Sequence, residues 1–63
     1  MAQKLKFTVK IHHRSYGVIT HHFDNESDAY KDYLAASDPK WHDCVTMYFS
    51  PNGFVLNQWR AQR

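Results

Sequence analysis

The chain has 63 residues, a formal net charge of +2, one cysteine, and few glycines or prolines. At this length it makes one domain that buries only about 60% of the surface its unfolded form exposes, so nearly every apolar group is needed. The lone cysteine excludes an internal disulfide and a stapled secreted scaffold, and the scarcity of Gly and Pro argues against disorder. A reducing cytosol is the expected compartment. No apolar run approaches the roughly 20 residues of a membrane span, and the start Met-Ala-Gln-Lys has no signal-peptide core.

Charge is unevenly spread along the chain. Residues 1–23 carry Lys4, Lys6, Lys10 and Arg14 and no acid, whereas 24–43 hold all six acids: Asp24, Glu26, Asp28, Asp32, Asp38 and Asp43. Arg60 and Arg63 follow near the end. Such a dipole can steer a charged partner, although it does not specify a fold.

Leu5, Phe7, Val9 and Ile11 alternate with Lys4, Lys6, Thr8, Lys10 and His12. This period of two predicts a half-buried strand over about 4–13. A second strand is expected over 18–23, after a turn in which Gly17 supplies positive φ. A three-residue loop Ser15-Tyr16-Gly17 would set Ile11 against His21 and Val9 against Phe23. Ile19, His21 and Phe23 then join the core face; a two-residue loop would bury Thr20 and His22 instead.

Asp24 or Asn25 caps a helix over 25–36, with Glu26 and Asp28 favourably placed in its first turn. The expected sheet-facing stripe is Ala29, Tyr30, Tyr33 and Leu34, continued by Ala36 or Ser37. Pro39 closes the helix, because the residue before a proline avoids helical dihedrals.

A third strand over 43–50 directs Val45, Met47 and Phe49 to one side and Cys44, Thr46 and Tyr48 to the other. Pro51-Asn52-Gly53 is a hairpin signal leading to a fourth strand over 54–60. That loop would oppose Ser50 to Phe54, Phe49 to Val55, Met47 to Asn57 and Val45 to Trp59, with Tyr48 facing Leu56. The expected fold is α+β: ββαββ, a four-stranded, mostly antiparallel sheet with one helix packed on one face. Strand order is not legible.

The other face would stay open, and function is sought there. Lys4, Lys6, Lys10, His12 and His22 line it from the first hairpin, with Tyr48 and Leu56 from the second. An aromatic-aliphatic centre with a basic rim suits a protein partner. Cations beside an aromatic platform also suit nucleic acid, the alternative reading. No cofactor is expected. His12, His22, His42 and Cys44 share that face by parity, and three imidazoles with a thiolate are a valid zinc set. Their spacing matches no zinc motif, so the expectation is no metal. Cys44 with His42 would be a nucleophile and base, but no third orienting group or cleft accompanies them, so no enzyme is expected.

The pattern from Lys6 to Trp59, with Phe23 leading into the helix start Asp24-Asn25-Glu26-Ser27-Asp28-Ala29, resembles the small early proteins of bacteriophages. In layout it is similar to the phage T7 inhibitor of host RNA polymerase. The resemblance implies only a class, a stand-alone binder that blocks or redirects a host machine, one that could act on nucleic acid. It transfers no site residues. A monomer or weak homodimer is expected, in the cytoplasm of a host bacterium if the chain is phage-encoded.

Overall fold

The computed structural model describes residues 5–62. Strands β1 (Phe7–His13) and β2 (Gly17–Phe23) precede the helix α1 (Glu26–Ala36), and β3 (His42–Phe49) and β4 (Phe54–Arg60) follow it. All three strand pairs are antiparallel, in the order β2-β1-β3-β4. The alternating hairpins therefore pack with their first and third strands inside, and the ββαββ expectation of an α+β fold holds.

The first hairpin closes earlier than its sequence suggests. The loop is Arg14-Ser15-Tyr16, and His13 pairs with Gly17, so Ile11 faces Ile19 and Val9 faces His21. His13 supplies the reason. Its Nδ1 accepts the backbone N–H groups of Ser15 (3.0 Å) and Tyr16 (3.2 Å), which satisfies the turn from its first residue. Gly17, at φ 85°, then starts the second strand. The pairing moves by two residues and not by one, so Ile19, His21 and Phe23 keep the face expected for them.

Two bulges interrupt the other ladders. Between β1 and β3, His12 pairs with Cys44 but His13 pairs with His42, leaving Asp43 as the extra residue. Between β3 and β4, Val45 faces Trp59 and Met47 faces Asn57 as expected, but Tyr48 faces Val55 and Phe49 faces Phe54. Leu56 is the extra residue there. The turn after β3 closes with the Gly53 N–H donated to the Phe49 carbonyl, one residue earlier than a Ser50–Phe54 pair would require. Each bulge reverses the faces of the residues beyond it, which residue counting cannot foresee.

Asn25 caps α1 in an extended conformation, its side-chain oxygen accepting the Asp28 N–H at 2.8 Å. At the other end Ser37 donates its N–H to the Leu34 carbonyl and its hydroxyl to that of Tyr33. The buried core is Val9, Ile11, Val45 and Met47 from the two central strands with Ala29, Tyr33 and Ala36 from the helix. Each fully buried aliphatic side chain contributes about 1.5–3 kcal/mol. Phe7, Ile19, Phe23, Leu56 and Trp59 flank this cluster.

The helix is rotated from its expected setting. Tyr30 is 44% exposed and Leu34 52%, so neither belongs to the sheet-facing stripe. The small side chains of Ala29 and Ala36 let the helix lie close over β1 and β3. From there it reaches β2 but makes no close backbone approach to β4. Tyr30 instead lines a shallow cleft of about 380 Å³ with Glu26, Ser27 and Asn57. Asn57, the one polar residue facing the helix side from the middle of β4, is half-buried and donates to the Met47 sulfur at 3.8 Å.

Candidate interaction face

Helix α1 covers one face of the sheet, and pairing fixes what the other presents. Three rows cross it. His22, Thr8, Tyr48 and Val55 form the first; Thr20, Lys10, Thr46 and Gln58 the second; Val18, His12, Cys44 and Arg60 the third. None of these twelve side chains is a carboxylate. Lys10 and Arg60 are cations, and the exposed Lys6 stands just before the face. Five of the six acids, Asp24 to Asp38, lie in the helix and its flanking loops. The sixth, Asp43, is the bulge residue at the end of the sheet, where Arg14 approaches it at 3.6 Å. The charge split along the chain thus becomes a split between two layers.

The centre of the face is ordered by contacts between neighbouring strands. Thr8 is 1% exposed despite lying on the uncovered side, because His22 and Ser50 close over it. Its hydroxyl is hydrogen-bonded to the Ser50 hydroxyl and to His22 Nδ1 at 3.1 Å. The Lys10 ammonium sits 5.6 Å from the centroid of the Tyr48 ring, within cation–π range. Gln58 donates to the Thr46 hydroxyl at 3.3 Å. This makes a flat, preorganised surface with a cation and an aromatic ring at its middle.

The sequence-derived site residues divide on inspection. Lys10, His12, His22 and Tyr48 share the face, with Lys6 at its margin; Lys4 lies outside the described residues. Leu56 does not belong there. As the bulge residue it packs against the helix-side core, and Val55 takes the place beside Tyr48. Arg60 was legible, since parity from Trp59 directs it outward. Val55 carried no such signal.

His42 is also misplaced by simple alternation. The Asp43 bulge turns it to the helix side, where its Nδ1–H donates to the Ala36 carbonyl at 2.7 Å. The tetrad His12, His22, His42 and Cys44 therefore does not assemble, and among the described residues no three His, Cys, Asp or Glu side chains could hold a metal ion. The same turn separates Cys44 from His42, which removes that nucleophile and base pair. His13 and His42 instead join Tyr16 and Trp41 in an aromatic cluster at the end of the sheet. His21 faces the helix side and donates to Asp32 at 2.9 Å.

Burial, and secondarily the neighbouring Tyr30 phenol, push Tyr33 above the ordinary tyrosine value. It lies on the covered side and has a structural role. No helix among the described residues is long and apolar enough to cross a membrane. Compared with family models, curated proteins and solved structures, the chain matches none.

Proposed function

We propose that this chain is a non-enzymatic binding protein that engages an acidic surface of a larger protein through its open sheet face. It modulates that protein, most simply by inhibition, through occupying the surface. The observation that carries the reading is the absence of any carboxylate among the twelve face residues, set against Lys10, Arg60 and the neighbouring Lys6. Tyr48 and Val55 supply an apolar centre, and the cations supply orientation and rate of encounter. The likeness in layout to phage early proteins makes a host machine the natural partner, met in the bacterial cytoplasm.

The test is capture of a partner, identified by mass spectrometry, on immobilised protein. A Lys10→Ala/Tyr48→Ala/Arg60→Ala variant that keeps its circular dichroism spectrum should lose most of the capture. Undiminished capture would refute the assignment of this face.

A second reading, single-stranded nucleic acid, draws on the Lys10 ammonium beside the Tyr48 ring, the pairing that lets a groove hold phosphate and stack a base. It requires affinity that falls with salt at a log–log slope of about −0.7 per phosphate neutralised. Absence of binding to a generic oligonucleotide at low salt removes it.

A further inference from the structure

The sheet has two edges, and they are built differently. Edge strand β4 is interrupted at Leu56 by a bulge and ends in Arg60. A bulge and a terminal charge blunt an edge against further pairing. Edge strand β2, Gly17–Phe23, has neither device. Its ladder with β1 runs without irregularity over all seven pairs, and the strand contains no proline, lysine, arginine or carboxylate. It is also the most exposed strand of the sheet, with Val18, Thr20, His21 and His22 all at the surface. A long, regular, uncharged edge is a template for another strand.

We infer that β2 is the association edge of this protein, and that its occupant is β2 of a second copy, paired antiparallel about a twofold axis at Thr20. The strand's own sequence selects this occupant. Centred on Thr20, the pairing sets Thr20 against Thr20, Ile19 against His21, and Val18 against His22. Every pair joins residues of the same face, because β2 has no bulge to reverse them. Ile19 and His21 both lie on the helix side, and Val18 and His22 both on the open side. No like charges meet, and threonine pairs and β-branched residues are favourable across strands. The same operation at β4 is less favourable, since the Leu56 bulge breaks the even spacing that a regular ladder about a twofold axis needs.

The helices do not obstruct the contact. Each lies over β1 and β3, so the two would stand three to four strand spacings apart, roughly 14–19 Å. That exceeds the 8–10 Å or so of packed helices, so the pairing is carried by backbone hydrogen bonds and the edge side chains. An interface this narrow falls in the weak, transient class. It would join two four-stranded sheets into one of eight and place two open faces side by side, doubling the basic surface available to a partner. The inference does not depend on the partner's nature, and it is read on the protein alone.

Sedimentation equilibrium of the purified chain, from micromolar to millimolar, should show a reversible monomer–dimer equilibrium. Thr20→Glu keeps the fold, because the new side chain is exposed and faces Lys10 in β1. It should weaken self-association by about fivefold, as two carboxylates meet at the axis. Thr20→Lys stands opposite Lys10 but at an exposed position, and provided it keeps its circular dichroism spectrum it should weaken self-association similarly. An equimolar mixture of the two variants should associate more tightly than either alone, by about twentyfold. A chain that stays monomeric at millimolar concentration overturns the inference. So does a Thr20→Glu variant that dimerises as tightly as the parent, or a mixture with no gain over its components.

Discussion

His13 and His42 lie opposite each other on the helix side of the sheet, their rings edge-on with centroids 5.1 Å apart. They meet only because Asp43 is an extra residue in the ladder. The consequence for His42 is a hydrogen bond to Ala36, the last residue of α1, whose carbonyl has no partner within the helix. The last turn carries no basic residue, and this imidazole shares the helix end with the Asp38 N–H, which also reaches the Ala36 carbonyl at 2.8 Å, and with the Ser37 hydroxyl. His42→Ala should therefore destabilise the protein by about 1 kcal/mol. In a domain this small that is a drop of about 4–8 °C in Tm, read by thermal unfolding at neutral pH. His12→Ala, on the open face, should change Tm far less. Equal effects would contradict the placement.

Tyr33 makes a pH prediction. Its raised pKa means that the folded state holds the phenol proton more tightly than the unfolded chain does. The stabilisation is complete below the ordinary tyrosine value of about 10 and is lost as the pH rises through the folded-state value. Urea unfolding midpoints should fall above about pH 10, and Tyr33→Phe should flatten that decline. A decline of the same steepness in Tyr33→Phe would assign it to other groups.

Turn geometry is tested at the two glycines. Gly17 at φ 85° and Gly53 at φ 71° occupy left-handed backbone, and nothing lies within 4 Å of where a Cβ would stand. Substitution thus costs conformational strain without a clash. Gly17→Ala and Gly53→Ala should each destabilise by about 1–2 kcal/mol, and Gly53→Asn by less, because asparagine tolerates this region. Chemical denaturation of the three variants reads the order.

The setting of the helix is tested by contrast. Met47 is 0% exposed in the core, so Met47→Ala should lose about 2–5 kcal/mol. Leu34, half in water, should lose under about 1 kcal/mol as Leu34→Ala, well short of a core leucine. If Leu34→Ala matched Met47→Ala, the helix would be rotated toward its sequence-expected stripe.

Much of this protein was legible in its order of residues. Alternation along Phe7–Ile11 and Val45–Met47 named two strands with one buried face, because such a strand must repeat every two residues. Asp24 or Asn25 at one end and Pro39 at the other bounded the helix through local backbone chemistry, and the structure uses Asn25. Lys10, His12, His22 and Tyr48 followed by parity, which survives any register error of two. These are local properties, set by sterics and hydrogen bonding within a few residues. The rest required the assembled sheet. A bulge costs one unpaired residue and is accepted only if the side chains beyond it pack better, which depends on the neighbouring strand. That choice sent Leu56 to the core, Val55 to the open face, and His42 to the helix end. The rotation of α1 was likewise settled by how closely Ala29 and Ala36 approach β1 and β3, at the expense of burying Leu34. Strand order had the same origin: the sequence determined two hairpins and a helix, while burial of Val9, Ile11, Val45 and Met47 under that helix decided that β1 and β3 lie side by side, with β2 left as a regular edge.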